Sequence, residues 1–251
     1  MGRTGIIGAM EEEIVLLKEK MEIEVVVKKA SMEFYQGRLN GKEVVLVRSG
    51  IGKVNAGLCA QILVDVFNVN RLMNTGIAGS LKAEINIGDV VISSDALQHD
   101  MDARSFGYAR GEIPRMDTVA FPADPELIRM AQAACAEANP DIRAFVGRIV
   151  TGDQFVAGRE VKEEIASWTG GYCTEMEGAA IAQAAYLNRV PFVIIRAISD
   201  KADDSATMDY PEFEKKAIEH SGRISEKGRH FVGSAQIPAK ACSFFRRGPG
   251  V

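Results

Sequence analysis

The sequence contains few of the side chains on which most metal sites and nucleophile pairs depend. Its three histidines are scattered along the chain, so we expect neither a histidine-based metal site nor a serine–histidine nucleophile pair. Four cysteines are present, and no two of them have C-x-x-C spacing. Cys59, Cys135 and Cys173 lie in apolar stretches, which predicts buried thiols in a reducing cytoplasm.

Long apolar runs and an excess of positive charge are also missing. No run reaches the length of a membrane-spanning helix, and the first residues lack the hydrophobic segment of a signal peptide. The 34 aspartates and glutamates outnumber the 30 lysines and arginines, which form no basic stripe that could follow a phosphate backbone. We therefore expect a cytoplasmic protein that binds neither membranes nor nucleic acid.

The chain has no low-complexity linker and no repeat of solenoid period. Its 251 residues, of which 47% are apolar, are enough for one sizeable core. We predict a single domain over residues 1–227. Residues 228–251 are too rich in glycine and proline for the amphipathic helix expected to close such a domain, which indicates a divergent or disordered tail.

Strand and helix patterns alternate along the chain. Predicted strands cover residues 4–9, 72–74, 88–92, 145–150, 172–174 and 190–200, with a hairpin of 32–39 and 42–49 around Asn40-Gly41. Predicted helices cover residues 11–21, 52–67, 125–138 with Asp124 as N-cap, 159–168, 178–187 and 211–224. The alternation indicates an α/β protein, a three-layer α/β/α sandwich with a mixed central β-sheet, in which the hairpin supplies the antiparallel part.

The predicted strand V190-P-F-V-I-I-R-A-I-S-D200 carries a charge inside an apolar run. A strand with so little alternation is buried on both faces. The charge of Arg196 therefore needs a partner, because an unpaired buried charge costs several kcal/mol. Asp200 leaves the carboxyl end of the strand, which is where open α/β sheets bind ligands.

Five further polar clusters follow predicted strand ends: Met10–Glu13, Ser49–Lys53, Thr75–Gly79, Gly152–Val156 and Glu175–Glu177. Each has a simple structural explanation: acids in the first turn of a helix, turn glycines, a helix cap at Glu175 or Glu177, or an ion pair of Arg196 with Asp200. The segment S49-G-I-G-K53 lacks the spacing of a Walker A phosphate loop. The convergence of these polar clusters on one edge of the predicted sheet nevertheless indicates a small-molecule enzyme.

Six segments occur in a specific order: G5-I-I-G-A-M-E-E-E13, S49-G-I-G-K53, N74-T-G-I-A-G79, T151-G-D-Q-F155, E175-M-E-G-A-A180 and R196-A-I-S-D200. From about residue 4 to residue 224 the chain resembles the 5′-methylthioadenosine/S-adenosylhomocysteine nucleosidases, within the purine nucleoside phosphorylase/uridine phosphorylase superfamily. The resemblance implies a nucleoside phosphorylase-like fold. It also implies an enzyme of methionine salvage that hydrolyses the N-glycosidic bond of methylthioadenosine, S-adenosylhomocysteine and 5′-deoxyadenosine.

Three acidic residues match the catalytic positions of that family. The resemblance assigns Asp200 as the acid that protonates N7 of adenine, for which its pKa has to be raised by a desolvated pocket. Glu13 resembles the base that orients the attacking water, although sequence alone does not separate it from Glu12, the neighbouring helical position. Glu177 resembles the residue that accepts hydrogen bonds from both ribose hydroxyls.

The resemblance also implies a set of substrate-binding residues. Met176 would lie against the sugar, Phe155 would stack on adenine, the backbone of Phe155 and Val156 would read the base edge, and Ser199 would support Asp200. Arg196 would hold Glu177 or Glu13 in place. The remaining members of the set are Met10, Ile51 and Tyr210 around the 5′ substituent, Ile77, Ala78, Gly79 and Glu175, and Phe106 and Pro114, which the family donates from a neighbouring subunit. A homodimer with no metal and no cofactor is therefore expected.

Ile77 departs from the family pattern, because a small hydroxyl or alanine-like residue is common at its position. This change would affect the ribose or water side of the pocket. A phosphorolytic nucleoside phosphorylase of the same fold is a competing hypothesis. Met10 and the three glutamates that follow it occupy the place where such an enzyme holds phosphate, and negative charge would repel that anion.

The sequence leaves two more functions open. One is hydrolysis of a related nucleoside such as 6-amino-6-deoxyfutalosine, whose large polar 5′ group would fit poorly beside Ile51 and Phe106. The second is nucleoside binding without turnover. Loss of catalysis would be expected to erase the acid or the base first, yet Glu13, Glu177 and Asp200 are all present.

Overall fold

The structure is a computed structural model that describes residues 2–203 of the chain. The predicted helix at 211–224, Tyr210 and the tail at 228–251 lie outside the described residues. Within the described range, no helix is long and apolar enough to cross a membrane.

Strands and helices alternate in the predicted order. The strands are β1 Thr4–Gly8, β2 Glu22–Lys29, β3 Met32–Leu39, β4 Lys42–Arg48, β5 Arg71–Ser80, β6 Val90–Gln98, β7 Phe121–Pro122, β8 Ala144–Thr151, β9 Cys173–Glu175 and β10 Phe192–Asp200. The helices are α1 Glu11–Lys20, α2 Lys53–Asp65, α3 Pro125–Ala138, α4 Arg159–Thr169 and α5 Gly178–Asn188, and a 3-10 turn covers Arg104–Phe106. The Asp124 side chain caps α3 as predicted, because it accepts hydrogen bonds from the Glu126 and Leu127 amides.

All the strands belong to one mixed sheet. Strand β1 runs parallel to β4, and β4, β3 and β2 continue outward as an antiparallel meander. On the other side the sheet curls into a closed ring in which β5 pairs with β10, β10 with β6, β6 with β8, β8 with β9, and β9 with β5 again. The short strand β7 pairs with β6.

Strand β5 changes neighbours halfway along its length. On one edge it pairs with β1 as far as Asn74, which lies opposite Ile7, and with β9 only from Gly79, which lies opposite Thr174. On the other edge it follows β10 from Leu72 to Gly79. The backbone between Asn74 and Gly79 therefore has a sheet partner on one edge alone, and side chains can reach it from the other.

Helices cover both faces of this sheet. Successive side chains of a strand point to opposite faces, and β10 contributes to a different apolar cluster on each side. Ile194 packs in a cluster with Leu63 of α2 and Ile181 of α5, whereas Ile195 packs in a cluster with Leu127 of α3. The predicted three-layer α/β/α arrangement is confirmed.

The prediction of buried thiols is confirmed for the cysteines that the structure describes. Cys59, Cys135 and Cys173 are buried and free. Burial raises the pKa of each of these thiols. Because the thiolate is the reactive form, none of the three is suited to act as a nucleophile at neutral pH.

Four segments differ from the sequence-based prediction. Strand β6 continues to Gln98, past the predicted end at residue 92, and no strand was predicted at β7. Strand β2 is absent from that prediction, because E22-I-E-V-V-V-K-K29 is an edge strand whose side chains are largely exposed and show no clean alternation. The sequence of residues 75–79 predicts a turn after a short strand, but these residues continue β5 and pair with β10. Their glycines serve close packing rather than a turn: a Cβ on Gly76 would lie 2.4 Å from Glu13 Oε1 and 2.8 Å from Arg196 Nη1.

Candidate active site

A cavity of about 420 Å³ opens beside the unpaired edge of β5. Twelve residues predicted from the sequence to form the site line it: Met10, Glu13, Ile51, Ile77, Ala78, Gly79, Phe155, Glu175, Met176, Glu177, Ser199 and Asp200. Val156 lines a smaller adjoining pocket together with Phe155 and Asp200. Ala9 and Thr174 also line the main cavity and were not predicted.

Arg196 lies behind this cavity and is completely buried in β10. Its Nη2 atom forms an ion pair with Glu175, donates to Asn74 Oδ1 at 2.6 Å and lies 3.8 Å from Glu177 Oε2. Arg196 thus lies within ion-pair distance of Glu177, as expected, and its hydrogen-bonded carboxylate partner is Glu175, which the sequence analysis did not name as a partner. Glu175 ends β9 opposite Thr151 of β8, and β9 belongs to the same ring of strands as β10.

Glu175 connects several elements through one carboxylate. Besides Arg196, it accepts a hydrogen bond from the Thr151 hydroxyl, and its Oε2 accepts from the amides of Glu177 at 3.1 Å and Gly178 at 2.7 Å. Those amides belong to the N-terminal end of α5, where a carboxylate is favoured by unpaired donors and by the helix dipole. The explanation that one of the two glutamates is a helix cap therefore holds for Glu175, which acts as a scaffold for its neighbours.

Glu13 is held against backbone amides. Its Oε2 accepts from Ala9 at 2.6 Å and Met10 at 3.1 Å, and its Oε1 accepts from the Ile77 amide at 3.2 Å on the unpaired edge of β5. Burial raises the pKa of Glu13, while Arg196 and the amide donors work in the opposite direction. Glu12 is exposed on the next position of α1. The structure thus separates the two glutamates that sequence alone did not.

Glu177 faces the cavity from the start of α5. Its Oε1 accepts a hydrogen bond from the Gly52 amide at 2.9 Å, which ties it to the loop before α2. Burial raises the pKa of Glu177 to about 8, with a further upward contribution from the charge of Glu175 and an opposing one from Arg196. Its second oxygen, Oε2, lies 3.8 Å from Arg196 Nη2.

The net charge of this cluster depends on the protonation of its carboxyl groups, because burial raises the pKa values of Glu13 and Glu177. Glu13, Glu175 and Glu177 surround a single guanidinium, and Arg196 interacts with all three. Among the described residues, Nε and Nη1 of Arg196 have no hydrogen-bond partner. When all three carboxyl groups are ionised they outnumber the guanidinium, and that state of the site favours a ligand that develops positive charge.

Asp200 closes the other end of the cavity and is buried. Its Oδ2 accepts from the Ser199 hydroxyl at 2.8 Å, and its Oδ1 accepts from the Ala202 amide at 2.7 Å. The pairing of β10 with β5 shifts register between Ile198 and Asp200, and such a bulge re-aims a side chain at the end of a strand. Ser199 supports Asp200 as the sequence predicted.

The remaining wall is apolar. Met10, Ile51 and Ile77 line part of it, and the amides of Met10 and Ile77 bind Glu13. The ring of Phe155, with half of its surface exposed, lines the part that includes Asp200. A flat heterocycle beside Phe155 and an apolar substituent beside Met10 would both match their surroundings. Phe106 and Pro114 do not line this cavity, and Phe106 is 85% exposed on the 3-10 turn.

Several residues that build the site were missed by the sequence analysis. Asn74 donates from Nδ2 to the Ile7 carbonyl at 2.9 Å and accepts from Arg196, so it joins β1, β5 and β10. Thr151 orients Glu175, and Gly52 supplies an amide to Glu177. Each lies within a quoted motif, but a motif does not reveal which backbone or side-chain atom faces inward. Within residues 2–203, no group of three His, Cys, Asp or Glu side chains is arranged to hold a metal ion.

Comparison with known proteins agrees with this geometry. The profile of the phosphorylase superfamily matches residues 3–227. The 5′-methylthioadenosine/S-adenosylhomocysteine nucleosidase of Staphylococcus carnosus is 43% identical over 221 residues, which cover 88% of this chain and 96% of that protein.

Solved structures show the same fold. The 5′-methylthioadenosine/S-adenosylhomocysteine nucleosidase of Neisseria meningitidis, in complex with methylthio-immucillin-A, superposes with a TM-score of 0.88 at 39% identity, and the match covers 92% of this chain and 100% of that one. The futalosine hydrolase of Helicobacter pylori superposes with a TM-score of 0.85 at 31% identity and covers 90% of this chain and 96% of that one.

The raised pKa of Glu177 predicts a pH-dependent cost to stability. Between its ordinary pKa of 4.5 and about 8, the folded protein retains a proton that the unfolded chain releases, so this residue destabilises the fold increasingly as pH rises. Glu177→Gln removes the ionisable group. Urea denaturation should show that the free energy of unfolding of this variant, minus that of the unmodified protein, increases from about pH 5 to about pH 8. The increase should be on the order of 1–4 kcal/mol.

Glu160→Gln provides the matched control, because Glu160 is an exposed residue in the first turn of α4. Its effect on unfolding should not change over the same pH interval. A Glu177→Gln difference that is equally independent of pH would contradict the assignment of a buried, proton-retaining carboxyl.

Proposed function

We propose a function from the premise that this chain belongs to the phosphorylase superfamily, in its group of 5′-methylthioadenosine/S-adenosylhomocysteine nucleosidases. The protein is an N-glycosidic hydrolase. It cleaves 5′-methylthioadenosine and S-adenosylhomocysteine, and by our proposal 5′-deoxyadenosine, into adenine and the 5′-substituted ribose. The observation that carries this function is one cavity with a buried aspartate at one end and three buried glutamates around an arginine at the other.

Departure of the base requires an acid. Adenine is a poor leaving group as an anion, so a proton has to reach the ring as the bond breaks. In our proposal Asp200 donates this proton to N7 while Phe155 stacks on the ring and the backbone of Phe155 and Val156 contacts the base edge. Its burial disfavours the charged carboxylate, and its contacts with Ser199 and the Ala202 amide fix its direction.

The ribose develops positive charge as the base leaves. Glu177 is proposed to accept hydrogen bonds from the two ribose hydroxyls, with Met176 against the sugar. Glu13 is proposed to orient the attacking water and to take its proton. The charge of Arg196 acts on the Glu13 carboxyl and favours its ionised form. In our proposal the ionised carboxylates of the site stabilise an oxocarbenium-like sugar.

The same charge distribution favours water over phosphate as the nucleophile. Ala9 and Met10 direct their amides toward Glu13, which leaves those donors occupied by a carboxylate rather than free for an anion. A phosphate group would lie next to Glu13 and Glu177, and the ionised forms of these residues would repel it.

The apolar end of the cavity suits a thioether. In our proposal Met10 and Ile51 contact the 5′ substituent of a ribose held by Glu177. Hydrolysis of a futalosine-type nucleoside is the second candidate, and the similarity to the futalosine hydrolase of Helicobacter pylori supports it. A polar 5′ group would lose hydrogen bonds to water against this wall, which favours the thioether substrates.

We further propose a cytoplasmic homodimer that acts in methionine salvage, with residues 1–227 as its nucleosidase domain. The exposed face of α2 supports the dimer, because Val54 and Leu58 lie one turn apart on it and are 79% and 46% exposed. An exposed Phe106 supports the idea that a partner subunit supplies this residue and Pro114 to complete the apolar end of the cavity.

The first test measures free adenine released by the purified protein from 5′-methylthioadenosine, S-adenosylhomocysteine, 5′-deoxyadenosine and 6-amino-6-deoxyfutalosine, each with and without phosphate. We expect release from the first two at a rate that phosphate does not change, with the 5-substituted ribose rather than its 1-phosphate as the sugar product. Strict dependence on phosphate would replace hydrolysis by phosphorolysis, and release from the futalosine alone would favour the second candidate.

The second test replaces the proposed acid. Asp200→Asn keeps the size of the side chain but cannot donate a carboxyl proton, so turnover should fall by roughly 10²–10⁴-fold, the usual contribution of a general acid. Asp141→Asn, in the exposed loop before β8, is the matched control and should leave turnover unchanged. Near-normal turnover of Asp200→Asn would reject its role.

The third test breaks the proposed dimer. A Val54→Glu/Leu58→Glu double variant should sediment as a monomer and lose activity roughly tenfold or more, because charges in the centre of an interface are strongly disfavoured. Val161→Glu, at a 43% exposed position of α4, controls for the added charge. A fully active monomer would show that the site is complete within one chain.

A further inference from the structure

A set of charged residues outside the assigned machinery joins the two loops that border the cavity. Lys53 is the first residue of α2, Asp100 follows β6, and Asp153 follows β8. None of the three lines the cavity. They come from segments that are about fifty or a hundred positions apart in the chain, so their contact depends on the fold rather than on local sequence.

Each of the three residues bonds to the other two. Lys53 Nζ donates to Asp100 Oδ1 at 2.6 Å, and the Lys53 amide donates to Asp153 Oδ1 at 2.8 Å. The Asp153 amide donates to Asp100 Oδ2 at 2.9 Å. A fourth contact, from Lys53 Nζ to Gln98 Oε1 at 3.1 Å, anchors the set to β6. We call Lys53, Asp100 and Asp153 the clasp.

The electrostatics of the clasp favour this arrangement. Partial burial works against the charge of Asp100, but the hydrogen bonds from Lys53 and from the Asp153 amide hold the pKa of Asp100 below its ordinary value. Asp153 places its carboxylate at the N-terminal end of α2, where it satisfies an amide that has no partner within the helix. Both carboxylates therefore accept hydrogen bonds from other segments of the chain.

The clasp lies directly beside two groups of the site. Gly52, the residue before Lys53, donates its amide to Glu177 Oε1. Phe155 lies two residues after Asp153, in a segment without regular secondary structure. The contact between Lys53 and Asp153 thus holds two loops together. One loop supplies the Gly52 amide to Glu177, and the other carries Phe155.

The buried residue His99 contacts the start of the loop that carries Asp153 and Phe155. The His99 amide donates to the Thr151 carbonyl at 2.9 Å, and its ring is so close to Gly152 that a Cβ there would lie 2.4 Å from Nε2. The start of the loop is therefore held by β6 and β8. At Asp153, the contact with Lys53 ties this loop to α2.

We propose that Lys53, Asp100 and Asp153 are positioning residues that hold the sugar-binding and base-binding sides of the cavity at the separation of a nucleoside, an inference that rests on the function proposed above. The clasp touches neither the reacting atoms nor the ligand. The clasp holds the two loops in the substrate-binding arrangement before the substrate arrives. Without it, the loops would have to be ordered on binding, at an entropic cost. Such pre-organisation strengthens the binding of substrate and of transition state alike, so its loss raises KM more than it lowers kcat.

The test compares Lys53→Met, Asp100→Asn and the double variant in steady-state hydrolysis of 5′-methylthioadenosine. We expect each single variant to raise KM by roughly 5–50-fold while kcat changes by less than about threefold. The double variant should be no worse than the more affected single variant within about threefold, because the two side chains act through one contact. Lys53→Arg, which keeps the charge and the donors, should restore most of the affinity.

Lys28→Met is the matched control, because Lys28 forms a 2.8 Å ion pair with Glu33 on the outer strands; its KM should not change. Melting temperatures of all variants separate folding from positioning, and Asp100→Asn provides the readout if Lys53→Met folds poorly. A lower melting temperature with unchanged KM, or additive effects in the double variant, overturns the clasp while an active unmodified protein leaves the proposed function intact. No adenine release by the unmodified protein overturns both.

Discussion

The active site depends on the buried ion pair between Arg196 and Glu175. Neither charge could lie in the interior without the other, because an isolated buried charge is strongly destabilising. Glu175 also receives the Thr151 hydroxyl and two amides at the start of α5, so the pair joins β8, β9, β10 and a helix at one point. Glu13 and Glu177 are arranged around the same guanidinium. In our proposal, the negative charge that this cluster carries once Glu177 is ionised stabilises a cationic sugar.

The sheet creates the space that this cluster occupies. Because β5 leaves β1 at Asn74 and meets β9 only at Gly79, the Ile77 amide is free to bind Glu13 instead of a neighbouring strand. Gly76 leaves room for the Glu13 carboxylate and the Arg196 guanidinium at the same place. The bulge in β10 then directs Asp200 toward the cavity. The irregular pairing of β5 and β10 thus leaves space for the cavity, frees the Ile77 amide to bind Glu13, and orients Asp200.

Much of this arrangement could be predicted from the sequence. Apolar runs ending in polar clusters indicated the α/β sandwich, and the charge inside β10 indicated a buried ion pair at the carboxyl edge of the sheet. The predicted partner Glu177 lies 3.8 Å from Arg196, but the closer partner Glu175 was not predicted, because the two glutamates are equivalent as sequence. Strand β2 was missed because an exposed edge strand lacks the apolar period of a buried one. Residues 75–79 resemble a turn because close packing and turning both require glycine. The contact of Lys53 with Asp153 could not be predicted, since no local pattern encodes it.

The shifted ionisation of Glu177 links occupancy of the cavity to the proton balance of the solution. In the free protein this carboxyl retains a proton near neutrality, since its pKa is raised to about 8, whereas an acceptor of two ribose hydroxyls has to be a carboxylate. Formation of the complex would then expel a proton into the buffer, and the heat evolved would vary with the buffer's own enthalpy of ionisation. The affinity for the nucleoside would accordingly fall as the pH is lowered. This would hold even at pH values where Asp200 and Glu13 are in the protonation states that our proposed reaction requires.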